Sequence, residues 1–490
     1  MRLVTPLFIS LFAMPSTLGA CEQPGSDGTY GWHVERETLA TEASPSLTLE
    51  VADLAAREAR LPRAPQLPTE VPVPTERPVE ELELAAPGEC TGALPWLDAP
   101  PTVTDLTPPG LSPFDHLGMR VAISGPWLVA GVDGDDRSSL DAGAVRVWRR
   151  DAEGWTPSAT LTPSRTAPEE HFGWDVAVQR DRVAVAVPGA VVDGAVDAGA
   201  VQIFGWDAGA GWVSSQRLVA PTPSVGARFG EAIRLGPERL VAGAPGELDE
   251  RGSVYVFFAD DAGLTVDARL SAPDSLPGDE LGASVALFGD LVAVGAPGVH
   301  AGDGAAFVAR RTASGWGALE RLVPQDLSEG ARFGGAVAVA RDLVLVGADQ
   351  DSPGGLTEAG SVTVFAHVSG AWRVRTRLLD LIPAPGAHFG GAIAFDGALA
   401  AVGAWSADGH GAQTGAVMLF APAKGGWARL VRLSDPAGAA GDRLGVGVAV
   451  GDGVVAAGAW SADGVAVDGG RLLVFEYGAC DPTEAPAARE

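Results

Sequence analysis

Four aspartates, Asp133, Asp135, Asp136 and Asp141, crowd one short stretch of this chain. Smaller groups follow at Asp193 and Asp197, Asp349 and Asp351, and Asp463 and Asp468. Clustered carboxylates are the oxygen ligands a hard cation such as calcium takes, and they are equally the side chains that hydrogen-bond their own turns. No spacing among them matches a defined calcium loop. Two readings therefore stand for Asp133, Asp135, Asp136 and Asp141: weak divalent-ion binding, or turn formation alone. No other cofactor is expected.

Trp405 and Trp460 are more pointed. Each sits in the heptapeptide Gly-Ala-Trp-Ser-Ala-Asp-Gly, present at 403–409 and again at 458–464. An indole at a loop tip offers a stacking surface to a sugar ring or an apolar side chain. An indole tucked under its own loop only covers the structure. Trp405 and Asp408, Trp460 and Asp463, together with Trp174, are the candidate ligand-binding residues.

His116, His171 and His388 each stand two residues before a glycine, a slot filled elsewhere by Arg228, Glu280, Arg332 and Arg443. Such repetition marks a polar loop position and not a catalytic site. His388 is remote in sequence from the other two, which argues against a three-histidine metal centre. The chain holds no His-Glu-x-x-His, no Gly-x-Ser-x-Gly and no phosphate-cradling glycine loop.

All these residues hang on one repeat. A Phe-Gly or Leu-Gly step recurs at Gly118, Gly173, Gly230, Gly282, Gly334, Gly390 and Gly445, at spacings of 55, 57, 52, 52, 56 and 55 residues. In the fourth copy two apolar runs, Ser284–Phe288 and Leu291–Val294, flank the turn Gly289-Asp290, which reads as a hairpin. A third run ends in an aromatic (Ser253–Phe258, Ala305–Val308, Ser361–Phe365). A fourth starts near tryptophan and ends in leucine (Trp212 to Leu218, Trp316 to Leu322, Trp427 to Leu433). The runs are almost continuously apolar, as in strands covered on both sides. Small residues fill the first run, as in Gly335-Ala-Val-Ala-Val339, where strands near an axis are most crowded. The fold class is all-β: a seven-bladed β-propeller of four-stranded blades.

The seventh copy stops after Leu472–Tyr477 with no fourth run, and an orphan segment, Trp96 to Leu106, precedes the first copy. The N-terminal strand is therefore expected to complete the last blade, removing its open edge. Cys90 and Cys480 fall where the missing loop of that blade would meet, and a disulfide is expected between them.

Residues 1–20 carry Arg2 and then an apolar stretch, as an export signal does, and Leu18-Gly19-Ala20-Cys21 resembles the bacterial lipobox. That resemblance implies lipidation of Cys21, and Glu22 in the next position points to the outer membrane or cell surface, with a periplasm-facing orientation as the other option. Residues 21–92, rich in proline and glutamate, are expected to form a disordered stalk, 93–480 the propeller and 481–490 a disordered tail. Charge excludes one class of partner. With 62 acidic residues against 34 basic ones and a net charge of −28, the chain lacks the basic face a nucleic-acid binder needs, and its membrane contact is expected through the lipid alone.

Phe229-Gly230 followed by Gly243-Ala244-Pro245, and Phe389-Gly390 followed by Gly403-Ala404, resemble FG-GAP repeats, which build the propeller of integrin α subunits and of many bacterial surface proteins. The resemblance covers 94 to 478. It implies a seven-bladed propeller that binds a partner on the face carrying its long loops. Integrin calcium sits in an insertion between the first two strands, and here that connection is only a short turn such as Gly289-Asp290 or Arg341-Asp342, so those sites are absent.

The sequence thus points to a lipid-anchored, non-catalytic envelope protein that binds a protein or glycan ligand. Two alternatives remain open: a docking subunit of an envelope assembly, and a hydrolase or lyase using the axial funnel. An enzyme should place convergent polar groups at the inner-strand ends, and those positions read as Ala, Gly and Val.

Overall fold

A computed structural model describes residues 101–477 except Thr166 and Ala262. The expected signal segment, stalk, tail, Trp96 and all three cysteines lie outside the described residues.

Seven antiparallel sheets follow one another along the chain. Blade 4 shows why. Its inner strand, Ser284–Phe288, turns through Gly289-Asp290 so that Phe288 faces Leu291, the first residue of the second strand, Leu291–Ala296. Every residue of that second strand is buried, so its unbroken apolar run reflects neighbours on both sides. The third strands run further than their apolar cores, as in Ser253–Asp260 and Ser361–Val368, because their polar ends continue the hairpin to the outer strand. Outer strands carry a register shift opposite the third strand's aromatic, for example between Val256 and Phe257 and between Val364 and Phe365. In blade 4 the outer strand is broken into Gly315–Trp316 and Glu320–Leu322.

The ring closes as expected. Thr102–Asp105 pairs antiparallel with Arg471–Glu476, with Thr102 opposite Glu476 and Asp105 opposite Leu473. Of the 96–106 stretch suggested by sequence, residues 101–106 are described, and Thr102–Asp105 form the strand. Thr102 and Glu476 lie at the end of blade 7 away from the loop that joins its second and third strands.

One interblade joint repeats around the ring. The N–H of the residue before each anchor glycine bonds to a carbonyl of the preceding blade, from Phe172 to Ala142 at 3.0 Å and Phe333 to Asp303 at 3.0 Å, through to Leu117 to Gly469 at 3.0 Å across the closure. That residue is fully buried in every copy, as Leu117, Phe172, Phe229, Leu281, Phe333, Phe389 and Leu444. Burying each such side chain stabilises by about 1.5–3 kcal/mol. Beside it a glycine of one blade's second strand rests on the anchor glycine of the next. A Cβ on Gly131 would lie 2.0 Å from the Gly173 carbonyl oxygen, and one on Gly458 would lie 1.9 Å from that of Gly118. The closing seam is therefore built like the internal joints.

Candidate functional site: the crown of the loop face

The loops between second and third strands, and the links between blades, gather on one side of the ring. The slot two residues before each anchor glycine forms a crown there. All seven occupants adopt positive φ: His116 58°, His171 51°, Arg228 51°, Glu280 57°, Arg332 55°, His388 53° and Arg443 59°. This left-handed turn lets each backbone bond back to the preceding blade, as in His388 N–H to the Glu358 carbonyl at 3.1 Å.

Five of the blades contribute to one continuous line of side chains across the crown. Asp349 Oδ2 lies 3.6 Å from His388 Nδ1. The His388 ring stacks on Trp405, with centroids 4.4 Å apart and planes 9° from parallel. The Arg443 guanidinium then sits over Trp405 at 5.7 Å and over Trp460 at 5.4 Å. Trp460 meets His116 edge-on at 5.0 Å. Asp133 lies 3.9 Å from both His116 and His171, and His171 meets Trp174 edge-on at 6.0 Å. The line crosses the closing seam between blades 7 and 1.

Trp405 is half-buried, with His388 against its ring and Arg443 over it. Its indole nitrogen lies where a Cβ on Gly391 would be, 2.8 Å away, so it rests on the inner strand of its own blade. Both indoles are engaged within the chain, Trp405 by His388 and Arg443 and Trp460 by Arg443 and His116. Blade 2 reaches a related arrangement with the sizes exchanged: Trp174 follows the anchor glycine, and Pro188 occupies the position that Trp405 has in blade 6.

The loop aspartates divide by role. Asp136, Asp408 and Asp463 each accept the backbone N–H of the residue five positions on, Asp141, Gln413 and Asp468, at 2.7, 2.9 and 2.9 Å. They brace their loops. Asp135 is held by the Arg137 guanidinium and by the Arg137 N–H at 3.0 Å. Asp351, at the corresponding place in blade 5, is buried and accepts from Ser328, Ser352, Ser361 and Arg377. Asp133 is buried between its two histidines, and burial raises its pKa above the usual carboxylate value. The four blade-1 aspartates thus do not converge on one point. Among the described residues no three His, Cys, Asp or Glu side chains gather as a metal-binding set. Asp135 and Asp136 brace their own loop as turn residues do, and Asp133 lies against the two histidines instead.

The inner strands of blades 1–3 depart from the expected run of small residues. Arg120, Asp175 and Glu231 come just before these strands, and Arg234 lies within that of blade 3. Asp175 stitches blades 2 and 3 together, accepting the Val176 N–H at 2.9 Å and the Ile233 N–H at 2.8 Å, with Arg234 at 3.3 Å. Glu231 lies 3.0 Å from Arg228. Burial pushes its pKa up to about 7, the Glu280 carboxylate adds to this, and Arg228 and Arg120 offset it only in part.

Open space large enough for a small molecule lies elsewhere. A groove of about 330 Å³ opens at the outer rim between blades 3 and 4, beside Asp267, Arg269, Ser271 and Trp316. The Trp316 indole N–H donates to Asp267 at 2.8 Å, tying the two outer strands together. Trp155 bonds Glu476 in the same way at 3.1 Å, which makes these two outer-strand tryptophans interblade ties.

Residues 155–204, 264–309 and 316–365 match the family described as FG-GAP repeat. The chain carries FG-GAP repeats within a seven-bladed β-propeller. Each matched segment begins in one blade's outer strand and ends in the third strand of the next, so the FG-GAP unit straddles a blade boundary. That offset is the one that leaves an outer strand over at the N-terminal side and gives it to blade 7. Comparison with curated proteins yields no significant match.

The crown histidines and arginines were visible in the sequence as one recurring slot. Their partners were not. Arg443 stands one repeat beyond His388, and only the folded ring shows that the two slots enclose Trp405.

Proposed function

We propose that this FG-GAP propeller is a non-catalytic binding module of the cell envelope, anchored by lipid on Cys21, which recognises a protein or glycan with its loop face. An FG-GAP propeller is a binding or adhesion type of fold, which supports the general part of this reading. The observation that carries the rest is a polarity of the ring. The long loops and the crown lie on one side, while Thr102 and Glu476, the rung where the described chain enters and leaves, lie at the other end of blade 7. The crown is thus remote from the rung where the described chain enters, and stays open to a ligand. The grip on the ligand is then made by loop edges and crown polar groups, with the stacked indoles as a stiff base.

Photo-crosslinking residues placed in the full chain test this. Substitution at Asp136 or Asp463 on the loop face should yield adducts from envelope extracts, and substitution at Asp290 or Asp452 in the opposite turns should not. Adducts confined to the opposite turns would end the proposal. Incorporation of labelled palmitate, lost in Cys21→Ser, tests the anchor separately.

One observation favours chemistry instead: Glu231, just before the inner strand of blade 3, is a carboxylate whose pKa burial raises to about 7. Turnover of a glycoside or ester panel that disappears in Glu231→Gln would establish the enzyme reading in place of the binding one.

A further inference from the structure

Phe114 breaks the backbone rule of its own repeat. Four residues before each anchor glycine the chain takes positive φ, and five blades place glycine there: Gly226, Gly278, Gly330, Gly386 and Gly441. Blade 2 uses Glu169 at 62°, and blade 1 uses Phe114 at 66°. A bulky L side chain is disfavoured in this region, and glycine is the residue that relieves it. No burial compensates, because Phe114 is 56% exposed. A local rule broken without a packing gain is what a functional residue looks like.

The neighbours of Phe114 share its exposure. Its N–H donates to the Val467 carbonyl at 2.9 Å, and Val467 is itself 56% exposed, with Val465 at 48%. The next two loops around the ring add Leu140 and Val196, both exposed. The apolar crescent thus runs over blades 7, 1 and 2. Carboxylates are interleaved with it, at Asp136 and Asp141, Asp193 and Asp197, and Asp463 and Asp468. Within loops 133–143, 188–199 and 460–470 Arg137 is the one basic residue, and Asp135 holds its guanidinium. The surface is apolar and anionic together.

We infer that this crescent docks a cationic amphipathic peptide segment of a partner protein, with an apolar side chain seated against Phe114 and Val467 and lysines or arginines on the flanking aspartates. The inference rests on the loop-face reading above and names the partner's chemistry. Charge complementarity selects this occupant over a glycan or an acidic peptide, and the chain's net charge of −28 steers it inward at long range.

The probe is a labelled synthetic helix of leucine and lysine, measured by fluorescence anisotropy against the full chain. A scrambled peptide of the same composition and a leucine–glutamate helix serve as comparisons. Phe114→Gly should weaken binding of the amphipathic peptide by at least about tenfold. Its melting temperature should hold or rise, since glycine suits the backbone there. Val467→Thr should also weaken binding, and Phe288→Ser, in the turn region at the opposite end of blade 4, should leave it unchanged. Unaltered affinity in Phe114→Gly and Val467→Thr, equal binding of the scrambled peptide, or equal binding of the glutamate helix would each overturn the inference. Loop-face crosslinks that persist beside a silent Phe114→Gly remove this inference alone; crosslinks absent from the loop face remove the reading beneath it.

Discussion

His388 lies flat against Trp405, 4.4 Å between ring centroids and 9° from parallel, with Arg443 over the same indole at 5.7 Å. The sandwich joins consecutive repeats, because His388 and Trp405 belong to blade 6 and Arg443 opens blade 7. Its effect is first on the rigidity of the crown. Trp405→Ala should therefore destabilise the propeller by roughly 2–4 kcal/mol, through lost burial and the lost stack. Arg443→Ala should cost about 1 kcal/mol, the value of a part-exposed cation over an aromatic ring. Urea midpoints measure both, and a Trp405→Ala variant as stable as the parent would show the stack to be incidental.

Glu231 sets a pH dependence whose direction follows from its environment. Its folded-state pKa of about 7 lies above the ordinary value of 4.5, so the folded protein holds this proton more tightly than the unfolded chain does. The stability it contributes is complete below about 4.5 and is lost as pH rises through about 7. Burial raises the pKa of Asp133, Asp115, Glu170, Asp380 and Asp442 as well, which adds in the same direction. Thermal melts should show higher stability near pH 5 than near pH 8. Glu231→Gln should flatten that difference by up to about 3 kcal/mol, less whatever Arg228 loses with its partner. A parent protein most stable at pH 8 would contradict this assignment.

Much of the ring was legible because each repeat states its own joint. The Phe-Gly and Leu-Gly steps mark where a buried side chain and a bare backbone must meet the previous blade, and no helical period competes with them. The orphan segment before the first copy was legible for the same reason, and Thr102–Asp105 of it pairs with the last blade. The crown was legible as a slot and not as a set of contacts. Asp136, Asp408 and Asp463 look alike whether they bind metal or brace a turn, and the backbone N–H that each accepts five residues on is set by loop shape. Arg120, Asp175, Glu231 and Arg234 were overlooked because the template copies carry small residues there. Phe114 was hidden by its neighbours: it reads as an ordinary apolar residue until its φ of 66° is compared with the glycines of the other blades.

Asp351 shows how much a single loop carboxylate can carry. It is buried in blade 5 and gathers the side chains of Ser328, Ser361 and Arg377 with the backbone of Ser328 and Ser352. Asp351→Ala leaves a partly buried guanidinium and two hydroxyls without their acceptor. Breaking such a pair costs about 3–5 kcal/mol. Asp408→Ala, which removes one exposed loop brace, should cost about 1 kcal/mol or less. Calorimetry on the two variants should rank them in that order, and equal melting temperatures would refute the distinction between buried and exposed aspartates.

The interblade glycine contact predicts a contrast between glycines of similar context. A methyl group on Gly131 would meet the Gly173 carbonyl oxygen at 2.0 Å, and one on Gly458 would meet that of Gly118 at 1.9 Å. Neither neighbour is a flexible side chain, so the blades themselves must move apart. Gly131→Ala and Gly458→Ala should each cost at least about 2 kcal/mol, at the level of overpacked cores. Gly205→Ala, in a third strand with nothing within 4 Å of its Cβ, should stay within about 0.5 kcal/mol of the parent. Similar losses at 131 and 458 would also mean that the seam is as tight as an internal joint.

That seam is where a Cys90–Cys480 disulfide would act. Both residues lie outside the described region, but the last rung, Thr102 with Glu476, brings the chain to within 12 residues of Cys90 and four of Cys480. Under the proposed envelope location, two cysteines so placed are expected to be joined, closing a loop that spans nearly the whole propeller. Such a loop restricts the unfolded chain more than the folded ring, for a stabilisation of roughly 4–5 kcal/mol at most. Peptide mapping without reductant should recover Cys90 and Cys480 in one linked fragment, and reduction should lower the urea midpoint with the fold retained. Free thiols at both positions in the native protein would leave the closing seam to the strand pairing and the blade 7–blade 1 joint, and Gly458→Ala would then be more damaging than Gly131→Ala.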